Sequence, residues 1–382
     1  VTALALWLLA GPAMALPAWI NPPAESLPGW SVGEDGGPPG SVTIRPSVPG
    51  KGTAGSPRVL VLYSGKSSAY DIALGEILVL FAGQPTAAVF TVVNVEGKAD
   101  RAMAAVKAAE EAGIRLVFAV GSTVTQQLHE RYRGGALPVV TVCAKDPVLL
   151  GQMPAYTAAS GNNFAYTSLN APIEVQYTYL KIVKPALRNI AILYSFENAS
   201  AIATQLKPLA AYARRQGMGV QEVGVNDAQA AAQLAERIPA AIAEMRRTDP
   251  DLRDTIFWVT GSTSVFTEIA TINRVAGSIP VISAVPDIVS DGDDSAVLSI
   301  GIGFDTNAQF AARYAAEILA GRAKAGELPV GVVTPPDIAI NFRRARAVGL
   351  RIPFSFVESA GTVFGPAGTP VRVDGHLVAT SR

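Results

Sequence analysis

From Arg58 to Ile302 the chain alternates two hydrophobic patterns. The first is a short run of β-branched and aromatic residues: Val59–Tyr63, Ala88–Val93, Leu116–Val120, Val139–Val142, Ile190–Tyr194, Gly219–Val225, Thr255–Thr260, Val281–Ala284 and Val297–Ile302. The second is an alanine-rich segment with helical spacing, as in Arg101–Ala112, Thr123–Arg131, Ala199–Arg215, Ala228–Arg246, Ser264–Val275 and Asn307–Ala320. Runs that are apolar on both faces, joined through helices, predict parallel strands in sheets covered on both sides. The expected fold class is therefore α/β.

Three of these runs recur in order. Arg58–Ser64 (RVLVLYS) returns as Ile190–Ser195 (IAILYS), Val117–Thr123 (VFAVGST) as Ile256–Thr263 (IFWVTGST), and Leu137–Thr141 (LPVVT) as Ile279–Ser283 (IPVIS). Matched positions 63 and 194, 122 and 262, and 138 and 280 lie 131, 140 and 142 residues apart. Apolar strands look alike, so one match means little. Three in register predict two similar lobes, and the period is far too long for a solenoid. Open parallel sheets bind ligands beyond the carboxyl ends of their strands. Both lobes should therefore present Tyr-Ser and Gly-Ser-Thr ends to a cleft between them.

The ends of the chain read differently. Val1–Ala15 (VTALALWLLAGPAMA) has an apolar core too short to span a bilayer, followed by the small-x-small signal Ala13-Met14-Ala15. It is expected to be a secretory signal peptide, and with no cysteine after the cleavage site the protein is not expected to be a lipoprotein. Leu16–Pro57 is rich in proline, glycine and serine and reads as a linker. Residues 365–382 read as a flexible tail.

Composition narrows the function. The 382 residues carry 31 basic and 31 acidic side chains, so no overall field favours nucleic acid. One cysteine excludes an intrachain disulfide and a multi-cysteine zinc site, and two histidines leave little for a histidine metal site or a Ser-His relay. No metal and no cofactor are expected. The stretch Tyr63–Ser67 imitates the end of a phosphate loop, but Leu60 stands where the motif needs glycine.

The strand ends hold the candidate chemistry. Ser64 follows the first strand. Ser122 and Thr123 open a helix whose N-terminus suits an anionic or polar group, and Thr123 with Gln126 fits a capping box. Ser262 is the repeat partner of Ser122. Tyr194, Glu197 and Asn198 follow the first strand of the second lobe, where a carboxylate can pair with a ligand ammonium and a ring can cover an apolar group. Asp146 and Asp287 follow matching strands. Trp258 and Cys143 read as core, and His129 as solvated.

The ordered motifs resemble the substrate-binding proteins of ABC transporters, of the tryptophan/tyrosine-binding type. Gly121-Ser122 with Thr125-Gln126 looks like the family's Gly-Thr-x-Ala-Ala-Gln, and Asp146-Pro147-Val148 with Gly151 like its Asp-Pro-Val. Gly161-Asn162-Asn163 sits where the family has Gly-Gly-Asn-x-Thr-Gly, with Ala165 and Tyr166 departing from it; this adds Asn163 to the site. Tyr194, Glu197, Asn198 and Ser200 match a fourth motif in part, and Ile338–Asn341 with Gly349 the closing segment. The resemblance covers Arg58–Val363. It implies a type I periplasmic binding fold of two Rossmann-like lobes with parallel sheets and a hinge. Lobe 1 is expected at 58–163 plus 297–328, and lobe 2 at 164–296 plus 329–364. It implies a periplasmic, monomeric, non-enzymatic protein that binds a small ligand, such as an aromatic amino acid, and feeds an ABC permease in the inner membrane. A sensory protein of the same fold signalling to a receptor is the alternative. A hydrolase or isomerase on an α/β fold is a third reading, which the missing histidine relay opposes.

Overall fold

The computed structural model describes residues 16–33, 38, 40–47, 55–84, 87–373 and 375–378. The expected signal peptide at 1–15 lies outside these residues. In chain order the strands are β1 (Trp30–Gly33), β2 (Val42–Pro46), β3 (Arg58–Tyr63), β4 (Val89–Asn94), β5 (Leu116–Val120), β6 (Val139–Val142), β7 (Phe164–Ala165), β8 (Thr167–Ser168), β9 (Asn189–Ser195), β10 (Gly219–Val225), β11 (Thr255–Val259), β12 (Val281–Ser283), β13 (Leu298–Gly301), β14 (Gly331–Val332), β15 (Asp337–Asn341), β16 (Thr362–Phe364), β17 (Pro370–Val373) and β18 (His376–Leu377). All nine strands expected from the sequence are present. The principal helices are α1 (Ser68–Ala82), α2 (Ala99–Glu111), α3 (Ser122–Arg131), α4 (Ile173–Val183), α5 (Ala199–Ala201), α6 (Lys207–Arg215), α7 (Ala230–Met245), α8 (Thr263–Phe266), α9 (Ile269–Ala276) and α10 (Phe304–Leu319).

The described chain divides into two compact units. Unit 1 holds the described residues up to Thr141, with Gly161–Phe164 and Ala312–Glu327; unit 2 holds Val142–Ser160, Ala165–Ala311 and the residues from Leu328 on. The first sheet has the order β1-β2-β4-β3-β5-β6-β7, and the second β10-β9-β11-β12-β13-β15-β16-β17-β18. The repeat read from the sequence is visible here. The order β4-β3-β5-β6 of one sheet is matched by β10-β9-β11-β12 of the other. Strands β3 and β9 each pair in parallel with a neighbour on both sides.

Two parts of the architecture differ from expectation. The sheets are mixed rather than purely parallel: β2 joins β4 antiparallel, and β13 joins β15 antiparallel. Strand β13, expected in lobe 1, pairs with β12 and β15 in the second sheet. An apolar strand suits either sheet equally, so its pattern cannot assign it. The segment 165–311 therefore stays together in unit 2.

The stretch read as a linker also carries structure. Strands β1 and β2 lie within it and extend the first sheet beyond β4. Ile44 is fully buried and stands opposite Phe90, whose ring meets Trp30 and Phe81 edge-on at 5.6 and 5.4 Å. A few buried apolar residues among the prolines and glycines suffice to dock the arm on a preformed edge. A short turn at Ala24–Ser26 then crosses α1, where Pro23 and Ser26 lie against Gly75 and the Asn21 N–H donates to Asp71 at 3.0 Å. The arm thus covers part of α1 beyond its sheet-facing side, in keeping with apolar residues that are not confined to one stripe. Arm and helix border an open pocket of about 370 Å³ lined by Leu16, Asn21, Leu27, Asp71 and Ile72 among others. The expected tail likewise holds β17 and β18, which continue the second sheet from β16.

In unit 2 one face of the sheet forms a core, with Ile190, Ile192, Trp258 and Ile282 packed against Leu206, Leu209 and Leu180 from the helices. Trp258 is fully buried, as its strand position predicts. Replacing Ile44 by Ala should lower the unfolding free energy by about 2–5 kcal/mol in urea titration, the usual cost for a buried isoleucine. A flexible linker would show no change.

Candidate functional site

In unit 1 the polar groups collect where β3 and β5 end. Ser64 Oγ donates to the Val120 carbonyl at 3.0 Å and accepts the Val124 N–H at 3.0 Å, bridging the end of β5 to the first turn of α3. Gly121 has φ 100°, and a Cβ there would stand 2.2 Å from the Tyr70 hydroxyl and 2.7 Å from Ser64 Oγ. Only glycine fits this turn. Gly121 is also the N-cap of α3, which corrects the expected capping box: Thr123 lies inside the helix, and the side chain that takes a first-turn N–H comes from Ser64. Ser122 is half-buried and Thr123 exposed at this helix start. Asn163 is engaged structurally. It accepts the Gly134 N–H at 2.7 Å and donates to the Leu137 carbonyl at 2.9 Å, pinning the chain before β6. His129 is half-buried with its ring edge-on to Phe164 at 6.3 Å, not solvated as expected, and burial lowers its pKa.

In unit 2 the ends of β9, β10 and β11 bring together a polar cluster. Ser195 Oγ donates to Asp227 and accepts the Glu197 N–H at 3.1 Å. The Glu197 carboxylate accepts the Asp227 N–H at 3.1 Å, and Ser264 donates to Asp227. Glu197 and Asp227 are both exposed, so two carboxylates face solvent beside two hydroxyls. Tyr194, one residue before, packs on the core side of the sheet, edge-on to Phe196 at 5.4 Å. Asn198 caps α5, accepting the Ala201 N–H at 3.0 Å. Ser262 is buried and accepts from Thr260 at 3.2 Å. Sequence reasoning named Glu197 here but missed Asp227 and Ser264. The carboxyl end of β10 was the available signal for Asp227.

Asp146 and Asp287 do different work. Asp146 is buried; its Oδ1 accepts the Val148 and Leu149 N–H groups at 2.8 and 3.0 Å, and its Oδ2 accepts from the Tyr156 hydroxyl. It fixes a turn. Asp287 is exposed by surface area and lies at the start of α10, where its Oδ2 faces the Phe304 N–H at 3.4 Å. Asp337 accepts the neighbouring Gly303 N–H at 2.8 Å, and Asp305 sits beside them. Close packing, then repulsion from Asp305, and last from Asp337 push the Asp287 carboxyl up to about 7. Exposure and desolvation together describe a recess, which water enters but protein atoms crowd. The repulsion acts in the same direction, so the upward shift stands. Cys143 is buried, and burial pushes its thiol up, consistent with an inert core residue.

Among the described residues no group of three or more His, Cys, Asp or Glu could hold a metal ion, and no helix is long and apolar enough to cross a membrane. The arrangement can hold a small polar molecule at its strand ends through hydroxyls and carboxylates.

The family model for ABC transporter substrate binding protein matches residues 86–364, well over half the chain. The chain belongs to this family. Among curated proteins none matches. Three solved structures share its fold. A conserved domain protein from Vibrio cholerae is 19% identical with a TM-score of 0.62, covering 81% of this chain and 99% of that one. An ABC domain from Streptococcus pneumoniae in complex with L-Trp is also 19% identical with a TM-score of 0.62, covering 80% and 99%. A substrate-binding protein with adhesive properties from Clostridium difficile, in a ligand-free open form, is 18% identical with a TM-score of 0.60, covering 80% and 98%. The fold is that of the type I periplasmic binding proteins.

The raised pKa of Asp287 gives a stability prediction for this family member. Its folded-state value lies above the ordinary carboxyl value of about 3.9, so ionising it opposes folding. Stability is lost as pH rises from about 4 through 7. Asp287→Asn should raise the melting temperature at pH 8 and leave it almost unchanged at pH 4. Solvent at this exposed side chain screens part of the effect.

Proposed function

We propose that this chain is the extracytoplasmic solute-binding component of an ABC importer. It holds a small ligand, an aromatic or other amino acid, and delivers it to a permease in the inner membrane without catalysis. The observation that carries the reading is the cluster of Ser195, Glu197, Asp227 and Ser264 at the ends of three adjacent strands. The residues just before these ends, Ile192–Leu193, Val223–Gly224 and Trp258–Val259, are apolar and buried, so the polar groups gather where the strands stop. Two exposed carboxylates with neighbouring hydroxyls suit a ligand ammonium. In unit 1, Ser122 and Thr123 at the start of α3, beside the turn of Ser64 and Gly121, form a second polar strand end suited to a polar group. The complex of the Streptococcus pneumoniae domain with L-Trp agrees with an aromatic amino acid.

The test is calorimetry and thermal shift on the purified protein with L-tryptophan, L-tyrosine and L-phenylalanine, with L-rhamnose and glucose alongside. An amino acid should bind saturably and raise the melting temperature, since a ligand at 100 times its Kd adds about 2.7 kcal/mol of stability. Glu197→Ala should weaken that binding about tenfold, equivalent to about 1.4 kcal/mol. Binding of a sugar with no response to any amino acid would overturn the ligand assignment.

A further inference from the structure

The turn between β11 and α8, Gly261 to Ser264, has opposite charges at its two ends. At the far end Ser264 touches Asp227, which is joined to Glu197. At the near end stands a lysine that the sequence did not single out. A Cβ on Gly261 would lie 2.2 Å from Lys145 Nζ, so the ammonium rests directly against this glycine. Lys145 is buried, while Gly261, against which its Nζ lies, is half-exposed, so the ammonium sits one residue layer beneath the strand ends. The Gly261 N–H donates to Gln205 Oε1 at 2.7 Å, and Gln205 belongs to a π-helical turn, Ile202–Leu206, between α5 and α6. Such turns widen a helix by one residue and often occur at functional sites. This one also offers Thr204, which accepts from Asn170 Nδ2 at 3.2 Å. Asn170 is itself nine-tenths buried, and its Oδ1 has no hydrogen-bond partner.

We propose that Lys145, seated on Gly261 and flanked by Gln205, is the specificity-determining residue that reads a carboxylate on the ligand, opposite the Glu197–Asp227 pair. The inference deepens the amino-acid reading above and rests on it. A ligand spanning the turn would meet an ammonium donor at Gly261 and carboxylate acceptors at Ser264. That order of charges selects a zwitterion over a sugar or a simple amine. Burial lowers the lysine pKa to about 8, which still leaves the ammonium predominantly charged at neutral pH. Gln205 fixes the backbone on which it lies, so the charge is held in place before the ligand arrives.

The test compares L-tryptophan with its amide, which keeps the ammonium and ring but lacks the carboxylate, by calorimetry on the full chain. On the unaltered protein the amide should bind about 10- to 100-fold more weakly, the range for one charge-assisted hydrogen bond. Lys145→Met should weaken the acid to the level of the amide and leave the amide unchanged. Gly261→Ala keeps the charge but drives a Cβ into Nζ, and Gly261 has no positive φ, so it tests the same seat without altering the lysine. It should narrow the difference between acid and amide. Equal binding of acid and amide to the unaltered protein would overturn the assignment while leaving the amino-acid reading intact. So would a tenfold preference that survives Lys145→Met. If no amino acid binds, succinate and inorganic phosphate become the probes. A thermal shift by either that Lys145→Met abolishes supports the anion seat alone, and no shift by any acid overturns it.

Discussion

Parallel strands covered on both faces leave no room for polar side chains along their length. β5 is buried at every residue, and β3, β9 and β11 carry polar groups only near their ends. Hydrogen bonding to two neighbours satisfies the backbone of β3 and β9 internally. Polar chemistry is therefore displaced to the turns that follow each strand. The rest of the molecule obeys this constraint. Ser64 and Gly121 in unit 1, and Ser195, Gly261 and Ser262 in unit 2, occupy corresponding turns because the same strand order recurs. Their roles then diverge: Ser64 ties a helix start to a strand end, whereas Ser195 joins two exposed carboxylates.

That divergence separates polar groups bound to nearby backbone from polar groups left open to solvent. Asn163, Asn198 and Asp146 were all reasonable site residues by motif. Asn198 and Asp146 direct their side chains to backbone N–H groups of their own turns, and Asn163 to backbone groups of the loop before β6. A buried loop carries backbone donors that must be paired, and short polar side chains are the local means of pairing them. Glu197 and Asp227 also bind backbone or hydroxyl groups, but their side chains remain open to water. The same contrast holds at the start of α10. Asp287 and Asp337 complement the helix N-terminus, yet three carboxylates around one partial positive charge exceed what it stabilises, and the Asp287 carboxyl rises accordingly.

The strands were legible because burial on both faces imposes β-branched runs of the right length, and the repeat was legible because the two units use the same order of strands. Features that depend on what lies across the fold were not. The pattern of β13 could not say which sheet it joins. Lys145 follows β6 as one residue in Cys-Ala-Lys-Asp, and nothing in that spelling shows that its ammonium reaches Gly261, 116 positions along the chain. Likewise the run Ala199–Arg215 reads as one helix, and its π-helical turn is set by the contacts of Thr204 and Gln205 rather than by propensity.

The N-terminal arm shows the same dependence from the other side. Its prolines and glycines describe its backbone well: among its described residues it forms two short strands and one 3-10 turn, Ala24–Ser26. What they do not describe is the surface waiting for it. The edge of β4 offers backbone groups ready to pair with an added strand, and α1 offers apolar surface that is costly to leave in water. Ile44, Trp30 and the turn at Pro23 meet those two demands with few residues. The apolar surface of α1 extends beyond its sheet-facing side, and among the described residues the stretch that composition marked as unstructured covers part of it. Composition reports how a segment behaves alone; the apolar helix beside it reports that it is not alone.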